Sequence, residues 1–499
     1  MLHRALRLTV LVTAIAVLGR YALIALGTLD YACQLEWMEG GVLDVIARVH
    51  DGKPIYAAPS LEYVPHIYPP VYFWVCGWLS KVFGLSLFVP RMVSFLSVLG
   101  VFGLIARAVH RHGSLQSRGS WTWAWAAAAF FAITYDVSGK WFHLARVDSL
   151  ALFLALLSFD VLIRAKTTRQ YGAAVVLAAA ATFTKQTMFV LLLPAFLGVQ
   201  LASPTPPVRL RSARGIVLLV LAAAVPLWLR GAADGWFWYY VVDLPRTHAW
   251  LDEARMGFWK QDVLPVAVAM AAAVLALARM FAERGRRALP YAGLLVGAVA
   301  GAWISRLHSG GFFNVLMPMH AAVAVLLGMG IAQLEREVIA FERARSWVSP
   351  TEVGVVLLLA YQLMILPGDL DASFPKAGSA EKCAQFAAFV ESIPGSVLLP
   401  DYRDPAHMKN ARFGLEMPAR DVLRAPEGDR GRAVLEPALN QAIAAKRFRA
   451  IILSEPVDWT PYLKGHYRPE QVIDLAPPPI TGWAITPRQV WVPSGGLSP

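Results

Sequence analysis

The chain has 499 residues, of which 57% are hydrophobic and only 16% are charged. Because an ordinary soluble domain carries about 25% charged residues, this composition excludes a typical soluble protein and indicates a protein embedded in a membrane. The net charge of +12 does not indicate nucleic-acid binding, because the arginines lie in short gaps between apolar segments, where they are typical of topology signals.

Apolar segments that are candidate membrane-spanning helices recur along the chain. They lie near residues 8–29, 70–89, 92–106, 121–135, 149–163, 171–184, 187–202, 215–230, 263–281, 289–304, 312–333 and 352–367. Lys81 and Gly84 interrupt the second of these. If that segment does not cross and the N-terminus is cytoplasmic, every cytoplasmic loop is basic, as the positive-inside rule requires. We therefore predict an all-α polytopic bundle of about eleven transmembrane helices in a bacterial cytoplasmic (inner) membrane, with segment 70–89 as an interface helix.

Two regions are extracytoplasmic in this topology. One is a first outer loop at about 30–91, and the other is the C-terminal region 369–499, which follows the membrane domain 1–368. The C-terminal region is more polar and richer in proline, and its short patterned elements predict a small α/β domain. The predicted elements are helices over Ser379–Ile393 and Pro437–Ala445, the second with its proline in the first turn, and strands over Val397–Leu399 and Ala450–Leu453.

The three cysteines, Cys33, Cys76 and Cys383, lie far apart. Since no two of them have a CxxC-type spacing, the sequence predicts neither a disulfide framework nor a metal cluster. A cysteine-based site is therefore not expected.

The first outer loop is acidic just beyond the end of the first apolar segment, where Glu36 and Glu39 flank Trp37. A carboxylate at the membrane interface can act as a general base toward an acceptor hydroxyl, or it can hold a metal ion. A solvated acidic loop without chemistry is the alternative. Asp148 opens a later predicted helix on the same side, where it either joins the glutamates in a site or interacts with the helix dipole.

Basic residues on the predicted outer face are few. Lys185 lies between two apolar segments, and Arg306 and His308 lie just before Gly310 and Gly311. Cations beside a Gly-Gly turn can bind a phosphate or diphosphate through charge-assisted hydrogen bonds. The alternative is that these side chains snorkel to the head groups of ordinary lipids.

The segment 234–262 is rich in tryptophan and tyrosine. Sugars stack on such rings, but membrane interfaces also place these residues in belts. We interpret the segment as an interface belt.

Polar and aromatic motifs recur in a characteristic order along the first half of the chain. After Glu36 and Glu39 come the stretches Asp51–Tyr56 and Tyr68–Tyr72, then Phe83-Gly84, Arg91 and Ser94, and later Arg146-Val147-Asp148 and Thr184-Lys185. This order resembles the GT-C superfamily of integral-membrane glycosyltransferases, in particular the branch with protein O-mannosyltransferases and aminoarabinose transferases. The resemblance covers about the first 200 residues. It implies a helical bundle with a large first outer loop, and transfer of a sugar from a polyprenyl-phosphate donor to a lipid, glycan or protein acceptor on the outer face.

The resemblance also implies roles for individual residues. An acid early in the first loop is the family's catalytic base, and Glu39 followed by Gly40 fits this position best. Met38 stands where the family often has the first acid, and Glu36 lies two residues earlier, so the choice between Glu36 and Glu39 stays open. Asp148 matches the family's second-loop acid, which supports the acceptor or a metal.

Lys185, Arg306 and His308 fit contacts to the donor phosphate. The implied mechanism is an inverting single displacement, in which the glutamate deprotonates the acceptor hydroxyl and polyprenyl phosphate leaves. No cofactor is predicted with certainty for this mechanism, and the use of a divalent metal ion stays an open question. A transporter or flippase of lipid-linked saccharide is the alternative function, since it would share the apolar bundle and the phosphate-binding cations.

Overall fold

The computed structural model describes residues 2–113, 120–202, 213–217, 220, 229–342, 365–403, 408–411, 413, 415, 417–454 and 459–495. Its first part is a helical bundle, in which each helix satisfies its own backbone hydrogen bonds, as an apolar environment requires. The first helices are α1 Leu2–Leu26, α2 Glu39–His50, α3 Val71–Phe83, α4 Phe88–Gly113, α5 Ser120–Ile133, α6 Asp148–Arg164, α7 Thr168–Thr182 and α8 Met188–Ala202. The later long helices of the bundle are Ala267–Arg284, Leu289–Arg306 and Met317–Glu342.

Among the described residues, helical stretches that are long and apolar enough to cross a membrane are Arg7–Leu26, Phe88–His112, Asp252–Arg306 and Phe313–Leu334. Shorter apolar helices lie between them. The predicted multi-pass membrane architecture is therefore confirmed. The number of eleven spans stays a prediction, because segments 215–230 and 352–367 lie mostly outside the described residues.

The interrupted segment 70–89 is a short helix followed by a turn. α3 ends at Phe83, Gly84 has a φ of 85°, and α4 begins at Phe88. The 13 residues of α3 extend about 20 Å at about 1.5 Å per residue, which is short of the roughly 30 Å hydrocarbon core. Trp78 and Val82 are exposed on its surface. α3 therefore fits the predicted position at the interface.

The helix Leu289–Arg306 packs tightly against α8. A Cβ atom at Gly297 would lie 2.3 Å from the carbonyl oxygen of Leu191, so only glycine lets the two backbones approach this closely. The narrow crevice beside this contact is lined by Asp148 and Lys185, among others. The close packing thus brings an apolar crevice up to two of the predicted site residues.

The described strands of the C-terminal region form one mixed sheet in the order β1-β2-β4-β3. Their bounds are β1 Val397–Leu398, β2 Ala450–Leu453, β3 Tyr467–Val472 and β4 Gln489–Pro493. β1 and β2 pair in parallel, and the other neighbours are antiparallel. The helix Ser379–Ser392 and the first two strands match the prediction. β3 and β4 are not predicted. β3 lacks a strand signal because it is mostly exposed and contains Pro469.

The helix around Pro437 begins earlier than predicted. It spans Arg430–Ala444, and the Asp429 side chain caps it by accepting hydrogen bonds from the amides of Gly431 and Arg432. Pro437 therefore lies inside the helix, and its prediction as a first-turn residue is wrong. The aspartate is the stronger start signal because its carboxylate satisfies amides that the helix leaves unpaired.

A disulfide joins the first outer loop to the C-terminal region. Cys33 is bonded to Cys383, with Cα atoms 6.1 Å apart, a usual separation for a disulfide. The prediction that the cysteines form no disulfide is wrong, because the fold brings together residues that are 350 positions apart. The ion pair of Arg403 with Asp44, at 2.6 Å, adds a second link between the two regions.

Part of the aromatic segment contacts the C-terminal region. The hydroxyl of buried Tyr239 donates to Asp429 at 2.7 Å, and the Arg430 guanidinium lies 3.9 Å from the ring centroid of buried Trp236. The interpretation as an interface belt is therefore wrong for Trp236 and Tyr239, because a hydrogen bond and a cation–π contact hold them against protein. Trp259 in the same segment is exposed.

Candidate active site

Glu39 is the first residue of α2 and is completely buried. Each of its carboxylate oxygens accepts two hydrogen bonds from described groups. Oε1 accepts from Arg91 Nε at 3.0 Å and from the Ala145 amide at 2.7 Å. Oε2 accepts from Arg91 Nη2 at 2.6 Å and from the Leu35 amide at 2.7 Å. Glu39 therefore ties the loop after α1 to α4 and to the segment before α6.

These donors decide the proton affinity of Glu39. Burial raises the pKa of Glu39, but the Arg91 guanidinium and the hydrogen bonds from Arg91, Ala145 and Leu35 outweigh it, and the net pKa lies below its ordinary value. Taking up a proton would break the ion pair, so Glu39 is a poor base in this arrangement.

Glu36 has a different environment in the same loop. It is completely buried, and its Oε2 accepts from the Met38 amide at 3.2 Å and lies 3.6 Å from Arg146 Nη1. Its Oε1 has no hydrogen-bond partner in the described part of the chain. Burial raises the pKa of Glu36 to about 7, against the lowering effect of the Arg146 guanidinium. A near-neutral pKa and an unpaired oxygen are the properties of a general base.

Arg146 lies beside Glu36 and is itself only 2% exposed. Its Nη2 donates to the Tyr68 hydroxyl at 3.1 Å, and its guanidinium lies 5.2 Å from the ring centroid of Trp141. Nε and Nη1 make no hydrogen bond to any described acceptor. Unpaired donors on a buried guanidinium suit an anionic ligand. Arg146 is not among the predicted site residues, although its place two residues before Asp148, in a stretch that resembles the family, is a usable signal.

Asp148 and Lys185 form a buried ion pair. Lys185 Nζ and Asn314 Nδ2 donate to Asp148 Oδ1 at 2.5 and 2.8 Å, and Trp141 Nε1 donates to Oδ2 at 3.1 Å. Asp148 lies in the first turn of α6 but makes no capping hydrogen bond there. Its partners come from other segments, so the interpretation as a simple helix cap does not describe it.

Trp141 connects the two ion pairs. Its ring faces the Arg146 guanidinium, and its Nε1 bonds to Asp148. Glu36, Arg146, Asp148 and Lys185 are therefore neighbouring buried groups around Trp141, and we name these five residues the acid–base cluster.

Arg306 and His308 have other partners. Arg306 Nε donates to Asp262 at 2.8 Å. The His308 ring centroid lies 4.4 Å from that of Trp250. The described contacts therefore do not bring these two side chains to the acid–base cluster, although Asn314 from the following turn bonds to it.

The carboxylates of the site do not fit a divalent-metal cage. Hard cations need several free oxygen ligands, whereas Glu39 and Asp148 accept hydrogen bonds on both oxygens. Within the described ranges, no group of three or more His, Cys, Asp and Glu side chains could hold a metal ion. The chemistry proposed below therefore uses no metal step.

Comparisons with known proteins give matches of structure alone. No protein-family model matches the sequence, and no curated protein matches it. The crystal structure of ArnT from Cupriavidus metallidurans bound to undecaprenyl phosphate matches with a TM-score of 0.57 and 12% identity, over 96% of this chain and 97% of that chain. Its apo state gives a TM-score of 0.59 over the same shares.

The oligosaccharyltransferase of Archaeoglobus fulgidus is also similar. Its structure tethered with an acceptor peptide matches with a TM-score of 0.52 and 12% identity, over 97% of this chain and 76% of that chain. The AglB complex with an inhibitory peptide and a dolichol-phosphate gives 0.51 and 14%, over 92% and 70%. At these identities the likeness shows the fold. This chain therefore shares the overall fold of these membrane proteins, as its resemblance in sequence leads one to expect.

Proposed function

We propose that this protein is a membrane glycosyltransferase that transfers a sugar from a polyprenyl-phosphate donor to an acceptor hydroxyl with inversion, and that Glu36 is its base. The observation that carries this proposal is a pair of buried groups. Among the described residues, Glu36 has an unpaired oxygen, and the neighbouring Arg146 has unpaired donors. Such a pair can take up a proton on one side and stabilise negative charge on the other.

Glu36 acts on the acceptor. With a pKa of about 7, it is substantially ionised near neutral pH, and its Oε1 takes the proton of the acceptor hydroxyl. The acceptor oxygen bonds to the sugar C1 while the bond from C1 to the phosphate oxygen breaks. The bonding electrons stay on that oxygen, and a single displacement inverts the configuration at C1.

Arg146 acts on the leaving group. Its Nε and Nη1, which make no hydrogen bond to a described acceptor, donate to the phosphate as negative charge develops. Lys185 is a second donor-phosphate contact, but Asp148 partly neutralises its charge in this arrangement. We therefore expect Arg146 to contribute more than Lys185.

The structural neighbours and the crevice support the proposed donor class. ArnT was crystallised with undecaprenyl phosphate and AglB with a dolichol-phosphate. In this chain, Asp148 and Lys185 lie at an apolar crevice between α8 and Leu289–Arg306. The crevice is narrow in this arrangement, so it has to widen before a polyprenyl chain can lie along it with its phosphate at the acid–base cluster. The acceptor is a lipid, a glycan or a protein.

We place the site on the outer face of a bacterial cytoplasmic membrane. Disulfides persist in oxidising compartments, and the bond between Cys33 and Cys383 joins the first outer loop to the C-terminal region. A cytoplasmic N-terminus and basic cytoplasmic loops put both regions outside. The C-terminal region 369–499 is then an extracytoplasmic domain on the membrane domain 1–368.

The test uses the purified full-length chain in lipid nanodiscs with a panel of radiolabelled polyprenyl-phosphate sugars. Glu36→Gln should lower the release of polyprenyl phosphate about 10²- to 10⁴-fold, because glutamine cannot take up the proton. Glu62→Gln, which changes a half-exposed acid of the same loop, is the matched control and should keep full release. Full release by Glu36→Gln would contradict the assignment of the base. In sealed proteoliposomes, transbilayer movement of the donor without release would favour the transporter or flippase.

A further inference from the structure

A long loop of the C-terminal sheet reaches the candidate base. β3 and β4 are paired as far as Val472 and Gln489, and residues 473–488 connect them without a helix or a strand of their own. Hairpin connections usually have about two to five residues, and irregular loops longer than about 12–15 residues are commonly functional. We name residues 473–488 the covering loop.

The covering loop is bonded to the segment that carries the candidate base. The Ile480 amide donates to the Leu35 carbonyl oxygen at 2.9 Å, and Thr481 forms a parallel bridge with the base residue itself. The Trp483 ring stacks on Trp37, with ring centroids 5.4 Å apart. The loop is therefore held against residues 35–37.

Gly482 lies directly against the carboxyl group of Glu36. A Cβ atom at this position would lie 3.1 Å from Glu36 Oε1 and 2.8 Å from Trp37 Cδ1. Gly482 also has a φ of 80°, which glycine adopts without strain. The oxygen of Glu36 that has no described partner is thus the oxygen that the loop covers.

This arrangement closes the base to an acceptor. A general base must come within about 2.6–3.2 Å of the group that it deprotonates, but Glu36 is 0% exposed. The acceptor hydroxyl can therefore reach Oε1 only after the loop has moved. Trp483 is half exposed although its ring stacks on Trp37, so the loop borders solvent beside the buried base.

We propose that the covering loop is the acceptor-side positioning element of this site. It moves away from Glu36 to admit the acceptor hydroxyl, and when closed it keeps water from the base. Closure of the loop over Glu36 depends on the fold alone, whereas the positioning of the acceptor rests on the proposed glycosyl transfer. Water that reaches Glu36 loses a proton to it and attacks C1, which gives free sugar and polyprenyl phosphate. A loosened loop should therefore raise donor hydrolysis relative to transfer.

The first measurement is the accessibility of Glu36 to a water-soluble carbodiimide with glycine ethyl ester, followed by peptide mass spectrometry. The paired variant Thr481→Ala/Trp483→Ala removes the stacked ring and the hydrogen bond from the Thr481 hydroxyl to the Gly139 carbonyl oxygen. Val472→Ala, an exposed position at the end of β3, is the matched control. We expect several-fold faster labelling of Glu36 in the paired variant than in the control and the unsubstituted protein.

The second measurement is the ratio of free sugar to glycosylated acceptor, which should rise several-fold in the paired variant. Gly482→Ala should change both measurements in the same direction, because its methyl group displaces the loop from Glu36. An intact disulfide between Cys33 and Cys383 and an unchanged unfolding temperature establish that each variant is folded.

The outcomes test the closure of the loop and the proposed reaction separately. Equal labelling of Glu36 in the unsubstituted protein, the control and both loop variants would overturn the closure. Faster labelling with an unchanged ratio would overturn the positioning role. If the unsubstituted protein releases no polyprenyl phosphate from any donor, the proposed function and the positioning role fail together, and the labelling rates still decide the closure.

Discussion

The pockets of Glu36 and Glu39 differ sharply although both residues lie in one loop and are completely buried. Both oxygens of Glu39 are filled by Arg91 and by two backbone amides, and its net pKa is lowered. Glu36 has an oxygen without a partner among the described residues and a pKa of about 7. Burial is complete in both pockets, so the neighbouring charges and donors make the difference. The Arg91 charge and the hydrogen bonds lower the pKa of Glu39, whereas the carboxylates of Glu39 and Asp148 raise that of Glu36 against the effect of Arg146.

This difference predicts separate tasks for the two glutamates. A carboxylate that is filled by donors holds segments together, and a carboxyl group with a near-neutral pKa can exchange a proton. Replacing the partner of Glu39 should therefore damage the fold, whereas changes around Glu36 should damage the reaction.

The largest effect is expected at Arg91. Arg91→Met leaves the carboxylate of Glu39 buried without its charge partner, which should lower the free energy of unfolding by about 3–5 kcal/mol. Thermal and denaturant unfolding in detergent measure this change. Arg91→Met/Glu39→Met should recover much of the loss, since no unpaired charge stays buried. A stable but inactive Arg91→Met protein would reverse the roles expected for Glu36 and Glu39 and would indicate Glu39 as the base.

The next largest effect is expected at Arg146. Arg146→Gln keeps a polar side chain but removes the charge that we propose stabilises the leaving phosphate, so kcat should fall about 10²- to 10³-fold. The unfolding temperature should change little, because Glu36 can become neutral when its cation is lost. Arg447→Gln, which breaks a half-exposed pair with Glu62, is the control. An unchanged kcat in Arg146→Gln would indicate that Lys185, and not Arg146, contacts the donor phosphate.

The sequence predicts the bundle well because the signal for a membrane helix is local. The segment predicted at 187–202 is observed as α8, Met188–Ala202. The short buried strand Ala450–Leu453 is found for the same reason. β3 has neither a buried run nor an alternating pattern and contains Pro469, so nothing local marks it as a strand.

The site is less predictable because its properties come from distant segments. The donors that fill Glu39 belong to Arg91 and Ala145, and the loop that covers Glu36 lies near the end of the chain. The disulfide between Cys33 and Cys383 depends on the same long-range packing. Local sequence can name both glutamates as candidates, but it cannot count the donors around either one.

The smallest effect is a pH dependence of the transfer rate. Burial raises the pKa of Glu36 to about 7, and the carboxyl group must be ionised to accept a proton. The value of kcat/KM should therefore rise with pH and level off above about 7, and it should be about tenfold lower one pH unit below that midpoint. Since Arg146 lowers the pKa of Glu36, the residual activity of Arg146→Gln should have its midpoint at a higher pH. A flat profile between about pH 5.5 and 8.5, with no shift in Arg146→Gln, would remove the contrast with Glu39, because the group that takes the proton would then titrate outside this range.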